Sequence, residues 1–494
     1  MKKADSSAVT GWAGPPVAVL WTQSLVWGLL CVDTLSVLEV PFRLVSASEI
    51  CGGCLDAFRI LIVPGGWAAH KVRALGETGR LKIDGFIEEG GSYIGFCGGA
   101  GLALSSPPAL YLTPIRRMPL SERLPSASGE IHICGALSHP AWENIPVRIP
   151  VSIWWPSQFL LDTGCQTACL ASYADPGVGF QVADLRACDI DKSAGWRELE
   201  EAYGINLDPE RIKGHPAIIE IEKGKGRLVL SYAHLETPGD SWGNRLFLNI
   251  LNYLSDVSCV SALCTENIFA RKARSCNPDQ DCEKSMNGSL LTRGVKRGQL
   301  PITRQEGSAA PSGISVAKQA AADLIDFGKA NMLWNWRNPW LLNWRRGIRG
   351  LEYGTLHIAL CYMAGLEQKL TAESSELEPA AFCANWPERT KDLEEKTLEF
   401  CALAKRLLFE EKIAAGMGSV SKIGKVNEKV DPLRNTLFGK RMNHSGLCGA
   451  LFDLIDPMLL DLIRGGASWD VTPYIQEKIA AARAKKDPFR TETI

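Results

Sequence analysis

Three apolar runs of strand length each end in a turn built from small or chemically active residues, and this pattern constrains the fold more than any other feature. Arg59-Ile-Leu-Ile-Val63 runs into Pro64-Gly65-Gly66, and Ser92-Tyr-Ile-Gly-Phe96 runs into Cys97-Gly98-Gly99. Arg227-Leu-Val-Leu-Ser-Tyr232 runs into Ala233-His234. With Val17-Ala-Val-Leu-Trp21 they make four short apolar strands, separated by helix-length segments such as Lys71 to Glu89 and Asn244 to Leu254. Continuous apolar strands alternating with helices read as a mostly parallel sheet covered on both faces. The expected fold class is α/β and flavodoxin-like over residues 15–255.

Residues 110–216 have a different texture. Ile131-His-Ile-Cys134, Val151-Ser-Ile-Trp-Trp155, Gln158 to Leu161 and Cys169-Leu-Ala-Ser-Tyr173 read as antiparallel strands, and predict an inserted β-rich lobe at one end of the sheet. Residues 256–313 lose apolar periodicity and gain Gly, Ser, Pro, Lys and Arg, as a partly flexible linker does. Residues 314–485 read as a small helical domain, with helices over Ser315 to Phe327, Leu351 to Leu366, Thr390 to Lys412 and Leu447 to Ile463. Ser421 to Asn435 reads as a loop and the last ten residues as a frayed tail.

Length and composition narrow the function classes. The chain has 494 residues, 46% apolar and 22% charged, which excludes a wholly disordered, collagenous or multi-span membrane protein. Lys plus Arg number 54 against 55 Asp plus Glu, so bulk charge points to neither nucleic acid nor acidic lipid. The 16 cysteines are irregularly spaced and too sparse for a disulfide scaffold, so the expected setting is a reducing, cytoplasmic one. Met1-Lys-Lys3 before the apolar stretch Val17 to Val32 has a secretory-signal reading. Thr22-Gln-Ser24 interrupts that stretch, and a buried first strand leading into a helix is preferred.

The segment Gly95-Phe-Cys97-Gly98-Gly-Ala-Gly101 has the composition of a sharp strand-to-helix turn that presents a nucleophile. Glycines two before and two after Cys97 permit the bend, the next backbone N–H faces a developing oxyanion, and helix onset favours the thiolate. Its rival reading is a Gly-rich turn with a buried thiol. Pro64-Gly65-Gly66 follows another central strand, where glycines can turn backbone N–H groups inward. Strand C-termini of open α/β sheets are where ligands bind. In Ser231-Tyr-Ala-His234-Leu-Glu236-Thr-Pro-Gly-Asp240, His234 is a candidate base and Glu236 a carboxylate able to orient it, with Asp240 in reserve.

Strand–Pro-Gly-Gly, Gly-x-Cys-x-Gly and His-x-Glu, in that order, resemble class I glutamine amidotransferase domains. Ile62 to Gly66, Gly90 to Ala103 and His234 to Glu236 are more narrowly similar to the domain at the N-terminus of some biotin–protein ligases. The resemblance covers about residues 15–255. It implies Cys97 as nucleophile attacking a carboxamide carbonyl, His234 as base, Glu236 as its orienter, and Gly66 and Gly98 as backbone oxyanion donors. It also implies a small-molecule carboxamide as substrate and an ammonia-accepting partner enzyme, which this chain does not visibly supply. The interval of 137 positions from Cys97 to His234 exceeds what a compact amidotransferase requires. A non-catalytic ligand-binding or regulatory module with the same elbow is the alternative.

Weaker signals lie elsewhere in the chain. Gly65, Trp154, Trp155, Gln158 and Arg116 are candidate pocket residues, the tryptophans equally suited to core packing. Arg116, Arg117 and Arg123 are suited to receiving a carboxylate bidentately, against a reading as solvated charge. Cys51-Gly-Gly-Cys54 reads as two partly buried thiols in a turn, against a redox pair or half a metal site. Cys276 and Cys282 read as an accidental spacing, against a metal pair, and His132 and His139 lack an obvious third metal ligand. No phosphate-loop or dinucleotide pattern occurs, and neither cofactor nor metal is expected. Trp336, Trp340 and Trp344 are spaced to stack on one face of a helix over 334–349. That helix reads first as an anchor against the N-terminal domain, then as a membrane-surface contact, and last as a nucleic-acid platform.

Overall fold

The computed structural model describes residues 17–161, 167–190, 195–255, 311–344, 348–373, 385–417, 424–439 and 445–465. The chain opens with β1 (Val17–Leu20), α1 (Leu25–Val37), β2 (Phe42–Val45), α2 (Ala47–Cys51) and β3 (Ile60–Val63). It continues through α3 (Ala68–Glu88), β4 (Ser92–Phe96) and α4 (Gly98–Ala103). Next come β5 (Arg116–Arg117), β6 (Ala127–Gly135), β7 (Arg148–Trp154), β8 (Phe159–Leu160), β9 (Thr167–Pro176), β10 (Gln181–Val182) and β11 (Leu185–Arg186). Then α5 (Gly195–Tyr203), β12 (Pro216–Lys223), β13 (Gly226–Ser231) and α6 (Ser241–Leu254) close the N-terminal part.

One sheet organises this part. Its strand order is β11-β10-β6-β9-β12-β13-β4-β3-β1-β2, with β7 paired to β6. The pairs β1–β2, β1–β3, β3–β4 and β4–β13 are parallel. Those beyond β13 are antiparallel. The sheet is therefore mixed rather than mostly parallel, a correction to the sequence expectation. Apart from the small pair β5–β8, the strands of 110–216 lie together at one end of the strand order, beyond β12, and extend the same sheet sideways. The link is the hairpin β12–β13, joined across Gly224-Lys225 with Gly224 at φ 57, where a two-residue turn requires a positive φ. Ala217 to Ile221 is buried without a break, and nothing local in Pro216–Lys223 names its neighbours.

Burial follows the apolar pattern. Ile60, Leu61, Ile62 and Val63 are fully enclosed, as Leu228, Val229 and Leu230 are. Helix α1 is buried almost all round. The sheet lies on one side, and helices from the C-terminal part close the other.

That C-terminal part contains α7 (Gly313–Ala330), β14 (Trp334–Asn338), β15 (Leu341–Trp344), α8 (Leu351–Glu373), α9 (Trp386–Met417), α10 (Val430–Phe438) and α11 (Gly446–Gly465). Helix α10 begins inside the segment read as a loop, Ser421 to Asn435, and runs past its end, a second correction. Its Val430, Leu433, Leu437 and Phe438 are buried, on i, i+3, i+7 spacing that is short enough to be overlooked between flanking polar residues. The aromatic rings of Tyr353, Phe400 and Phe438 meet with centroids 5.8–6.0 Å apart, and the Arg349 guanidinium lies 4.1 Å over Phe438.

The tryptophan-rich segment is a hairpin, not a helix. Trp334 pairs with Trp344 and Trp336 with Leu342 across β14 and β15. Asn338 Oδ1 accepts from the backbone of Trp340 at 2.9 Å and Leu341 at 2.8 Å, which turns the chain at Asn338-Pro339. A residue before proline is also disfavoured in helix, so the four-residue tryptophan spacing had no helix to ride on. Arg337 Nη1 donates to the Ser128 carbonyl and hydroxyl, each at 2.9 Å, which ties this hairpin to β6.

Several side chains join the helices to the first half of the sheet. Trp21 Nε1 donates to the Asp456 carbonyl at 2.8 Å, and the Gln23 backbone N–H donates to Asp456 Oδ2 at 2.9 Å. Tyr362 Oη donates to Asp33 Oδ2 at 2.6 Å. Arg464 Nη2 donates to the Leu44 carbonyl at 2.8 Å and to Glu49 at 2.7 Å. No described helix is long and apolar enough to cross a membrane. Residues 256–310, with Cys276 and Cys282, and the chain's last ten residues lie outside the described residues.

Candidate functional site

Sheet register brings the three sequence signals together. Val63 is level with Gly95, and Gly95 with Leu230, on neighbouring strands. The loops after β3, β4 and β13 therefore leave the sheet side by side. The Cys97 backbone N–H donates to the Ser231 carbonyl at 2.8 Å, carrying the ladder one residue past the strand.

Cys97 has φ 47 and ψ −104, outside the regions that side chains ordinarily occupy. It stands at the N-terminus of α4 and is partly exposed. Such a turn requires glycine where backbones touch. A methyl group at Gly98 would strike the Gly66 carbonyl, and one at Gly99 the Val63 carbonyl. Gly66 itself has φ 105. Gly66 and Gly98 are thus packed backbone to backbone beside Cys97, and Gly98, as the first residue of α4, has an N–H without an intrahelical partner.

His234 and Glu236 are fully buried, with Nδ1 of the imidazole 2.8 Å from Glu236 Oε1. The Thr34 hydroxyl donates to the Glu236 carbonyl at 2.7 Å, and the His234 backbone N–H donates to the Ser152 carbonyl at 2.8 Å. Burial opposes a charge on His234, but the Glu236 carboxylate and the Cys97 sulfur outweigh it and raise the imidazole to about 10. Nε2 has no hydrogen-bond partner of good geometry, although Cys97 is near enough to act on its charge. The Cys97 thiol points instead to the Trp154 carbonyl at 3.9 Å. Cys97 and the Glu236-paired imidazole thus lie near each other without a well-formed hydrogen bond between them.

Asp240 is committed elsewhere. It accepts from the backbone N–H groups of Gly243 and Ser152, each at 2.9 Å, and so caps α6. Burial raises its carboxyl to about 6.

The candidate pocket residues separate. Trp154 is buried with its ring centroid 5.3 Å from that of His234, while Trp155 is half-buried at φ 47. Gly65 is filled from below by the Trp27 indole. Gln158 is buried and donates its amide to the Arg211 carbonyl at 3.1 Å. Arg116 is exposed on β5, whereas Arg117 beside it is half-buried against α4. Among the described residues no cluster of three or more metal-ligating side chains occurs. His139 pairs with Glu220 at 3.2 Å.

Tyr173 and Tyr232 escaped the sequence reading. Both are buried near the Cys97 sulfur, whose charge adds to burial in raising their hydroxyls. Tyr232 carried a signal only through its place, directly after β13 and two residues before His234.

A family model described as the biotin-protein ligase N-terminal domain matches residues 55–106, from the approach to β3 through α4. Comparison with curated proteins finds no match. Among solved structures, a glutamine amidotransferase from Thermotoga maritima is 10% identical, with 50% of this chain and 100% of that one covered at a TM-score of 0.33. A protein provisionally assigned as part of a GMP synthase, from Thermoplasma acidophilum, is 13% identical, with 49% and 95% covered at 0.32. A cold-adapted β-galactosidase from Rahnella sp. R3 is 12% identical, with 49% and 31% covered at 0.31. The biotin-protein ligase N-terminal match spans the Cys97 elbow and the strands β3 and β4 that lead to it.

Proposed function

We propose that this chain is a cysteine-dependent hydrolase or transferase acting on a small carboxamide. The supporting observation is a strained Cys97 at an elbow, next to an imidazole that is buried and paired with Glu236 at 2.8 Å. In this reading the Cys97 thiolate attacks the amide carbon, and the carbonyl electrons move onto oxygen. The Gly66 and Gly98 N–H groups receive that oxyanion. The His234 imidazolium gives its proton to the leaving nitrogen as the C–N bond breaks, which releases ammonia and leaves a thioester. Water or an acceptor, deprotonated by His234, then cleaves the thioester. Glu236 holds the ring and stabilises its charge. An ammonia-accepting partner enzyme fits this chemistry, as does a cytoplasmic setting for the ten cysteines that are free thiols among the described residues. The division into an α/β domain over 15–255, a linker over 256–313 and a helical domain over 314–485 belongs to the same proposal.

The test is ammonia release from glutamine and a panel of small carboxamides. Cys97→Ala should abolish turnover, and His234→Ala should lower it by about 100- to 10,000-fold. Full activity in folded Cys97→Ala would rule the mechanism out. A second reading, a binding module that retains the elbow, draws on the Cys97 thiol pointing at the Trp154 carbonyl rather than at His234 Nε2. A thioester adduct on Cys97, seen by intact mass after rapid quench with a turned-over amide, would exclude it.

A further inference from the structure

Beside the elbow lies a cluster that the proposed mechanism does not use. Arg117 ends β5, and a methyl group at Gly101 would run into its guanidinium. Gly101 sits about one turn into α4, roughly 6 Å along the helix from Cys97. Arg123 Nη1 donates to the Ser157 hydroxyl at 3.2 Å. Both arginines are half-buried, and each has a buried Nε without a hydrogen-bond partner. Burial and the nearby positive charge of Arg117 hold Arg123 below its ordinary range, and no carboxylate among the described residues offsets them. The hydroxyls of Tyr173 and Tyr232 are also buried and lack a partner of good hydrogen-bond geometry, with each residue 2% exposed. Ser157 lies near enough to Tyr232 to act on its hydroxyl. Tyr232 interacts electrostatically with both arginines and with Cys97, and Tyr173 with Tyr232 and Cys97.

Two guanidiniums held together without an acid repel each other. Buried donors left unpaired are a standing penalty. A single anion removes both problems, and a planar carboxylate matches the guanidinium fork better than any neutral group. We propose that Arg117 and Arg123, with the hydroxyls of Tyr173 and Tyr232, form a subsite for a carboxylate carried by the substrate, so that Cys97 attacks a short acyl compound bearing an acidic group. The distance of about one helical turn between Gly101 and Cys97 keeps that acid within a few bonds of the reacting carbonyl. This inference rests on the reading of Cys97 as the nucleophile and goes on to name its substrate class.

The experiment compares alkylation of the full chain by iodoacetate and iodoacetamide, which differ by a carboxylate against a carboxamide. Peptide mapping gives the rate at Cys97, and the exposed Cys134 and Cys188 serve as references within the same molecule. The acid-to-amide rate ratio at Cys97 should exceed the reference ratio by roughly tenfold or more. It should fall towards the reference in Arg117→Gln and in Arg123→Gln. In the unmodified protein, succinate should slow iodoacetamide at Cys97 while succinamide does not, a measurement independent of whether either variant folds. A Cys97 ratio equal to the reference, together with no protection by succinate, overturns the subsite and leaves the nucleophile standing. Inertness of Cys97 to both reagents while Cys134 reacts removes the nucleophile, and the subsite falls with it.

Discussion

His234 Nδ1 and Glu236 Oε1 stand 2.8 Å apart in a space closed to solvent, so the charge on one is set by the charge on the other. The imidazole is raised to about 10 in the folded protein, whereas a free histidine titrates near 6.5. Between those values the folded state holds a proton that the unfolded state has lost. The resulting stability is whole below about pH 6.5 and disappears as pH rises through about 10. Thermal midpoints measured from pH 6 to 10 should therefore fall more steeply in the parent than in Glu236→Gln. Parallel curves would show that the carboxylate does not carry the effect.

Cys97 holds φ 47 and ψ −104, a conformation that glycine reaches without strain. Both Cys97→Gly and Cys97→Ala should lack turnover, but their stabilities should differ. Relief of the strain should make Cys97→Gly the more stable by about 1 kcal/mol, at the low end of the usual range for such positions. Urea denaturation compares the two directly, and equal midpoints would mean that the elbow stores no strain.

Asp456 joins the helical part to the sheet through the Gln23 backbone N–H at 2.9 Å. Burial raises its carboxyl to about 7 and lowers the neighbouring Lys71 to about 7. Asp456→Asn keeps an acceptor for Gln23 and should change stability by less than about 1 kcal/mol. Asp456→Leu leaves that N–H buried and unpaired, and should cost about 1–3 kcal/mol. Chemical denaturation that finds the two variants equal would remove this contact from the interface.

The central strands and the three loops beyond them were legible because each signal was local: four or five apolar residues, then glycines or a reactive side chain. The partners of β6, β9 and β12 were not, since strand pairing is a relation between distant segments, and a strand reads the same for a lobe as for a sheet extension. The tryptophan spacing misled because Asn338-Pro339, a turn of two residues, outweighed a periodicity that ran across it. Tyr173 and the arginine pair show the same limit at the site. Arg117 and Arg123 stood out as charges, but only their burial against Gly101 and Ser157 separates them from Arg116 on the surface.

A sheet of eleven strands offers its margins as templates to any neighbouring chain, and here those margins are blunted. At one side Arg464 takes the Leu44 carbonyl of β2. At the other, β11 is two residues long and carries Arg186. Along β7, Ser152 is engaged by His234 and Asp240. Arg464 thus guards against edge-to-edge aggregation, and a chain truncated before α11 would present β2 to its own copies.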